Sequence, residues 1–375
     1  MKFRNAALAV PIATGLATLA SGVLISAPVP AQSAENFYKG KSVRVVIGFS
    51  AGGGYDTYTR AVLPHMTRHM AGKPGFMPQN MPGAGSRKAA NWLFNVAPKD
   101  GSVIGVVGLT TALDQALKKK GVKFDVAKFH WIGNPIKDTG ITYTWAASGL
   151  HTIEDVRKKG GLICGGTGAT SFTVLSPLVL NSLLGLEGRV ISGYRGGKGL
   201  HLALERGEIN CRGAHGWSSM KATGGQWLKE HKVSVLVQWG IEADPEISNW
   251  QGRPVPNIVD LGKTDLDRRA LRLMASSNAM GRPMIAPPGL PADRVKALRA
   301  AFAATMKDPA FLAEAKKRKM DIAPLMGEQL QEIAVETASA PATVIDRLHE
   351  LTKRNRLEKV KGGKRQKKKS KKKKD

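Results

Sequence analysis

The stretch SVRVVIGFSAGGGYDTYTR, residues 42–60, decides how the rest of the chain is read. Residues 43–49 form an apolar run rich in β-branched side chains, the composition of a buried strand. The run ends in Ser50, Ala51, Gly52, Gly53, Gly54, Tyr55 and Asp56, and an amphipathic pattern opens at Thr57. A strand, a glycine turn and a helix start make the geometry that aims free backbone N–H groups at an anion. Three glycines remove the side chains that would hold a ligand away from those donors. Alone, the glycines could equally do no more than turn the chain, so the remaining sequence has to decide.

The same unit recurs. A second strand, 76–80, ends in Met81, Pro82, Gly83, Ala84, Gly85 and Ser86 ahead of a helix at 87–96. A third, 103–107, ends in Gly108, Leu109, Thr110 and Thr111 ahead of a helical stretch reaching Lys120. This alternation predicts a parallel sheet with right-handed crossovers, and ligands bind beyond the carboxyl ends of such strands. After a strand at 141–147 the pattern restarts. Leu162, Ile163 and Cys164 run into Gly165, Gly166, Thr167, Gly168, Ala169, Thr170 and Ser171, then a helix through Leu184. A strand at 189–192 ends in Gly193, Tyr194, Arg195, Gly196 and Gly197, followed by a helix at 198–206 and strands at 208–211 and 233–238. Two such modules facing each other would enclose a cleft lined by backbone donors. A strand at 284–286 and helices at 293–306, 311–319, 329–338 and 341–351 complete the pattern.

The chain has 375 residues, 42% hydrophobic and 23% charged, enough for two or three ordinary globular cores. Its net charge is +28. Residues 359–375 hold eleven Lys/Arg against one acid, and Lys2 with Arg4 add two more, so about +16 belongs to the remainder. That excess favours anions in general rather than marking a nucleic-acid footprint. Lys2 and Arg4, an apolar stretch from 6 to 25 and the small residues after it read as a secretory signal, cleaved after Ala31 or Ala34. No later stretch is apolar enough to span a membrane, so the mature protein is expected to be soluble and exported, in the periplasm. Cys164 and Cys211 could bond in an oxidising compartment; two buried free thiols is the preferred reading.

In this order and spacing the motifs resemble the solute-binding receptors of tripartite tricarboxylate transporters, the Bug family. The family's Gly-Gly-x-x-Asp loop is similar to Gly52 to Asp56 with Arg60, and its Pro-Gly-Ala-Gly loop to Pro82–Gly85. Its Pro-x-Asp-Gly turn is Pro98–Gly101, and its Tyr-x-Gly-Gly is Tyr194–Gly197 with Ala203–Glu208 behind it. Ala286–Ala292 and Lys307, Asp308 and Pro309 are similar to its C-terminal signature. The resemblance spans residues 37–351. It implies an α/β, two-domain type II periplasmic binding fold, each domain a mainly parallel sheet flanked by helices. Domain 1 would hold 35–138 and 279–356, and domain 2 would hold 139–278. Residues 1–34 would be the signal and 357–375 a disordered lysine-rich tail. A small carboxylate would be held by backbone N–H groups in the interdomain cleft. Hinge closure would present the receptor to the membrane permease subunits. The expected contacts are Ser50, Ala51, Gly52, Gly53, Gly54, Tyr55, Gly83, Ala84, Gly85, Ser86, Thr110, Thr111, Gly166, Thr167, Gly168, Ala169, Thr170, Ser171, Tyr194, Arg195 and Gly196. No catalysis, cofactor, metal or nucleic-acid partner is expected, and the receptor should be a monomer. Two departures leave the carboxylate's identity open: Gly166-Thr167-Gly168-Ala169-Thr170-Ser171-Phe172 stands where the family often carries Gly-x-Gly-Ser followed by a His, and Ala51 stands where Pro is common.

Other readings compete. Gly48-Phe49-Ser50-Ala51-Gly52 matches the G-x-S-x-G nucleophile elbow, so a serine hydrolase using Ser50 is the alternative. That elbow normally follows several strands and an oxyanion loop, whereas here it follows the first strand. His65 and His69 lie four apart without the Glu of a zinc-protease motif and read as surface histidines. Asp56 reads as a cap or loop-orienting acid, because an acid would repel a carboxylate. Arg195 is the best candidate for a charged side chain facing the anion, with an exposed turn arginine as an equal reading. Tyr55, Tyr194 and Trp217 read as cleft-rim or packing aromatics. The lysine tail reads as solvated and without a partner.

Overall fold

Strand β1 (Ser42–Ile47) is buried at Val43, Val45, Val46 and Ile47, and the order of the first sheet is built around it. A computed structural model describes residues 33–353 and 357–359. Strands β2 (Gly75–Asn80) and β3 (Val103–Val106) flank β1 in parallel. β4 (His130–Asn134) lies further out, and the chain then leaves for a second sheet. There β5 (Gly140–Trp145), β6 (Ile163–Gly166), β7 (Arg189–Ser192), β8 (Cys211–Gly216) and β9 (Val233–Trp239) follow. A short ribbon, β10 (Asn249–Trp250) with β11 (Arg253–Pro254), stands apart. The chain returns to the first sheet as β12 (Met284–Ala286) and β13 (Leu325–Met326), and ends in the second as β14 (Leu357–Lys359).

The strand orders are β13-β4-β12-β3-β1-β2 and β14-β7-β6-β8-β5-β9. Each sheet carries one antiparallel strand inside it. β12 opposes both β3 and β4, so β1, β2, β3 and β4 share a direction. β5 opposes both β8 and β9, and the other strands of the second sheet run together. The inserted strands adjoin the chain's crossings between sheets, around 134–140 and 279–284.

Apolar spacing explains the flanking helices. Helix Gly54–His69 buries Tyr58, Ala61, Val62 and Met66 at three- and four-residue intervals. Helix Phe172–Leu184 is buried along most of its length and belongs to the core itself. Helix Ala342–Leu351, assigned to domain 1 by sequence, packs Val344, Ile345, Leu348 and Leu351 into the core that holds Val179, Cys164 and Leu271.

Several expectations are corrected. Cys164 and Cys211 are register partners on adjacent parallel strands, 4.1 Å apart at Cα, and are disulfide-bonded rather than free. β8 begins at Cys211, not at 208. The Glu208 N–H still bonds to the Ala203 carbonyl in the turn that ends the preceding helix. β4 and the helices Trp217–Lys229 and Asp265–Ala279 had no counterpart in the sequence reading. Residues 357–359, expected in the disordered tail, pair in parallel with β7, and Glu358 makes a two-pronged pair with Arg189 at 2.8 Å. The signal and the rest of the tail lie outside the described residues. No helix among the described residues is long and apolar enough to cross a membrane.

Candidate functional site

The loops that follow β1, β2 and β3 meet those that follow β6 and β7. The Ser50 hydroxyl donates to the Arg195 carbonyl. A Cβ built on Gly53 would lie 3.5 Å from the Gly197 nitrogen, and a methyl on Gly168 would overlap the Gly85 main chain. Behind these contacts lies a cavity of about 90 Å³. Outside them is a cleft of about 710 Å³, lined by residues 82–86, 167–169 and 192–196 with Ser50 and Lys359.

Four helices start at the inner cavity: Gly54–His69, Phe172–Leu184, Gly197–Glu205 and Trp217–Lys229. None receives a side-chain cap from its N-cap residue, Gly53, Ser171, Gly196 or Gly216. Helix N-termini expose unpaired N–H groups and partial positive charge, so their convergence favours a negatively charged group. Asp138 answers one of these donors, accepting from the Ser218 N–H at 3.1 Å. The loop after β2 is held in an unusual backbone conformation, with Ala84, Gly85 and Ser86 at φ 49°, 66° and 81°. The buried Ser86 hydroxyl oxygen fixes it by accepting the Gly108 N–H at 2.9 Å.

The charged groups of the cavity come from the crossing segments and β8. Arg282 Nη2 donates to Asp138 Oδ2 and Ser218 Oγ, both at 3.0 Å, and to Ser219 Oγ, while its guanidinium lies 4.0 Å over the Tyr58 ring. Arg212 is 5% exposed, has no ion pair among the described residues, and its Nε and Nη1 find no hydrogen-bond partner. Burial pulls its pKa down, opposed by Tyr143 beside it. Burial, Arg212, His201 and Arg282 hold His215 well below the ordinary histidine value. Burial, with Arg212 adding to it, holds His201 at about 3. Tyr55 stacks on Phe49 at 4.1 Å, accepts the Leu109 N–H at 3.0 Å, and is pushed by burial up to about 12. The result is a pocket of convergent donors and neutral imidazole, with its one acid engaged by Arg282.

No family model matches the chain. Its structure is similar to that of the periplasmic binding protein BugD (TM-score 0.67, 17% identity, covering 86% of this chain and 100% of that one). It is also similar to an adipate-bound protein of R. palustris (0.64, 15%, 84% and 97%) and to malate-bound MatC of Rhodopseudomonas palustris (0.60, 21%, 84% and 99%). In sequence it is 22% identical over 345 residues to the "UPF0065 protein in gbd 5'region" of Cupriavidus necator, covering 88% of this chain and 94% of that one. The fold is that of the Bug-type periplasmic binding proteins.

Within this Bug-type fold the residues singled out by sequence fall into three groups. Gly53, Gly54, Tyr55, Gly85, Thr110, Thr167 and Ser171 line the inner cavity. Ser50, Gly83, Ala84, Gly85, Ser86, Thr167, Gly168, Ala169, Tyr194, Arg195 and Gly196 line the outer cleft. Ala51, Gly52, Thr111, Gly166 and Thr170 line neither. The Gly52 N–H is held at 2.9 Å by Asp56, which also bonds Arg60 and Asn80. Burial pushes the Asp56 pKa up, but those three partners outweigh it and hold the carboxyl low. Thr111 bonds its own turn at the Gly108 carbonyl, and Thr170 meets Arg87. Arg195 is exposed, and the cations in the inner cavity are Arg212 and the Asp138-paired Arg282.

Trp217 packs against Trp250 away from both spaces. His65 is buried rather than on the surface; it bonds Glu314 at 2.8 Å and His69 bonds Asp308 at 2.9 Å, joining helix Gly54–His69 to Pro309–Lys317. No group of residues able to hold a metal occurs among the described residues. No histidine among them bonds Ser50, as an elbow nucleophile would need. Sequence reasoning missed Asp138, Arg212, His215, Asn278 and Arg282, which sit in no motif; the only signal was Arg and His alternating with small residues in CRGAHG.

Proposed function

We propose that this chain is an extracytoplasmic receptor that captures a small carboxylate between its two sheets. It hands the ligand, chemically unchanged, to the membrane subunits of a tripartite tricarboxylate-type transporter. Residues 35–138 and 279–341 would form one lobe and 139–278, with helix Ala342–Leu351 packed on it, the other, with the chain's crossings as the hinge and the protein exported as a monomer. The observation that carries the reading is the convergence on one cavity of four helix N-termini, none capped by its own N-cap residue and one answered by Asp138. The adipate and malate bound by two similar folds point to the same ligand chemistry.

A thermal-melt screen against organic acids tests it. A ligand that binds only the folded state stabilises it by about 2.7 kcal/mol at a hundredfold excess over Kd. At least one carboxylate should raise the Tm and be recovered intact. No shift with any acid, or conversion of the acid to a product, would overturn the reading.

A further inference from the structure

We infer that the ligand is a monocarboxylate with an uncharged, apolar body, and that the Arg212 guanidinium reads its single charge. The inference rests on the receptor reading above. The ionisable groups lining the cavity are Asp138, Arg212, His215 and Arg282, apart from the weakly acidic Tyr55. Asp138 and Arg282 meet at 3.0 Å and cancel. His215 is held neutral by burial and by the cations around it. One full positive charge is left, and it is the buried, unpaired Arg212.

An ionised group removed from water without a counter-charge is strongly disfavoured. An incoming carboxylate supplies that counter-charge and fits the guanidinium fork. A second carboxylate would meet only partial charges of helix ends and an arginine already matched by Asp138. Phe49, Tyr55, Leu109 and Phe172 give the same cavity an apolar wall, which suits a hydrocarbon or ring. An ammonium group finds no unpaired acid there, so a zwitterionic amino acid is a poor fit.

The test is calorimetric titration of the full chain with matched pairs, hexanoate against adipate and benzoate against terephthalate, with the amides as uncharged controls. The monoacid of a pair should bind at least about tenfold more tightly than its diacid, a difference of about 1.4 kcal/mol. The amides should not bind. Arg212→Met should weaken monoacid binding about a hundredfold. The ligand-free variant should melt no lower than the parent, because an unmatched buried charge has been removed. Asp138→Asn, which frees Arg282, should shift preference toward the diacid. A diacid bound more tightly by the parent overturns this inference and leaves the receptor reading standing. Unchanged affinity in Arg212→Met, or a variant that melts lower or does not fold, makes Arg212 structural and also overturns it. Binding of no acid of either kind defeats the receptor reading itself.

Discussion

His201 and His215 stand behind Arg212 with their rings 5.5 Å apart, and each leaves a buried ring nitrogen without a partner. Protonating either would add charge next to a guanidinium, so burial and Arg212 hold both below the ordinary value of 6.5. The unfolded chain takes up these protons near pH 6.5 and the folded chain does not. Unfolding is therefore favoured as pH falls below 6.5, by about 1.4 kcal/mol per unit for each histidine kept neutral. Carboxylates held low, such as Asp56, weaken the fold only nearer pH 4 and below. Urea unfolding should accordingly show lower stability at pH 5.0 than at 7.5, and His201→Phe should lessen the difference. Equal stability at both values would refute the neutral-imidazole account. These side chains were illegible in the sequence, because a buried arginine and histidine have the same letters as exposed ones. The glycines of the loops were legible, because what they contribute is backbone access and needs no partner to be known.

At the scale of elements, β8 carries the most consequence. It supplies Cys211, Arg212, Ala214, His215 and Gly216 in succession, and alternation sends Arg212 and Ala214 to opposite faces from Cys211 and His215 only where the pleat is regular. Its pairing with β5 shifts register between Ile141 and Tyr143, and the wall of the cavity takes residues from both parities. That irregularity and the turn that delays the strand to Cys211 are tertiary effects, which is why an apolar-run reading placed it at 208–211. By contrast β1, β6 and β7 were found, because each is a short apolar run closed by glycine. The disulfide pins the first residue of β8 to β6 and closes a span of 47 residues. Chain-entropy reasoning gives such a link roughly 4 kcal/mol. Replacing both cysteines by alanine should lower the unfolding free energy by about that amount in urea titrations under non-reducing conditions. A loss below about 1 kcal/mol would mean the strand is held in place without the link.

At the scale of the molecule, the repeated strand–glycine–helix pattern announced two α/β sheets. It did not announce that β14 would join the second sheet or that the last long helix would pack against Val179 and Leu271, since periodicity carries no information about which sheet an element joins. What the assembled molecule adds is contact between loop tips, and contact limits size. Gly168 meets the Gly85 main chain closely enough that a methyl group there would overlap backbone, which cannot rotate aside. Gly168 has no left-handed φ, so alanine fits its own loop without strain. Gly168→Ala should therefore leave the fold intact, with a Tm close to the parent's, while opposing the closed arrangement of the tips. If closure completes the cavity, the fraction of molecules able to bind falls and the apparent Kd rises in proportion, by about tenfold for each 1.4 kcal/mol of clash. Small-angle scattering with and without a bound carboxylate gives the independent readout: the parent should contract on binding and the variant should not. If Gly168→Ala binds and contracts like the parent, the tips can part while the ligand stays held, and the cavity must be completed by the Arg212 side of the wall alone.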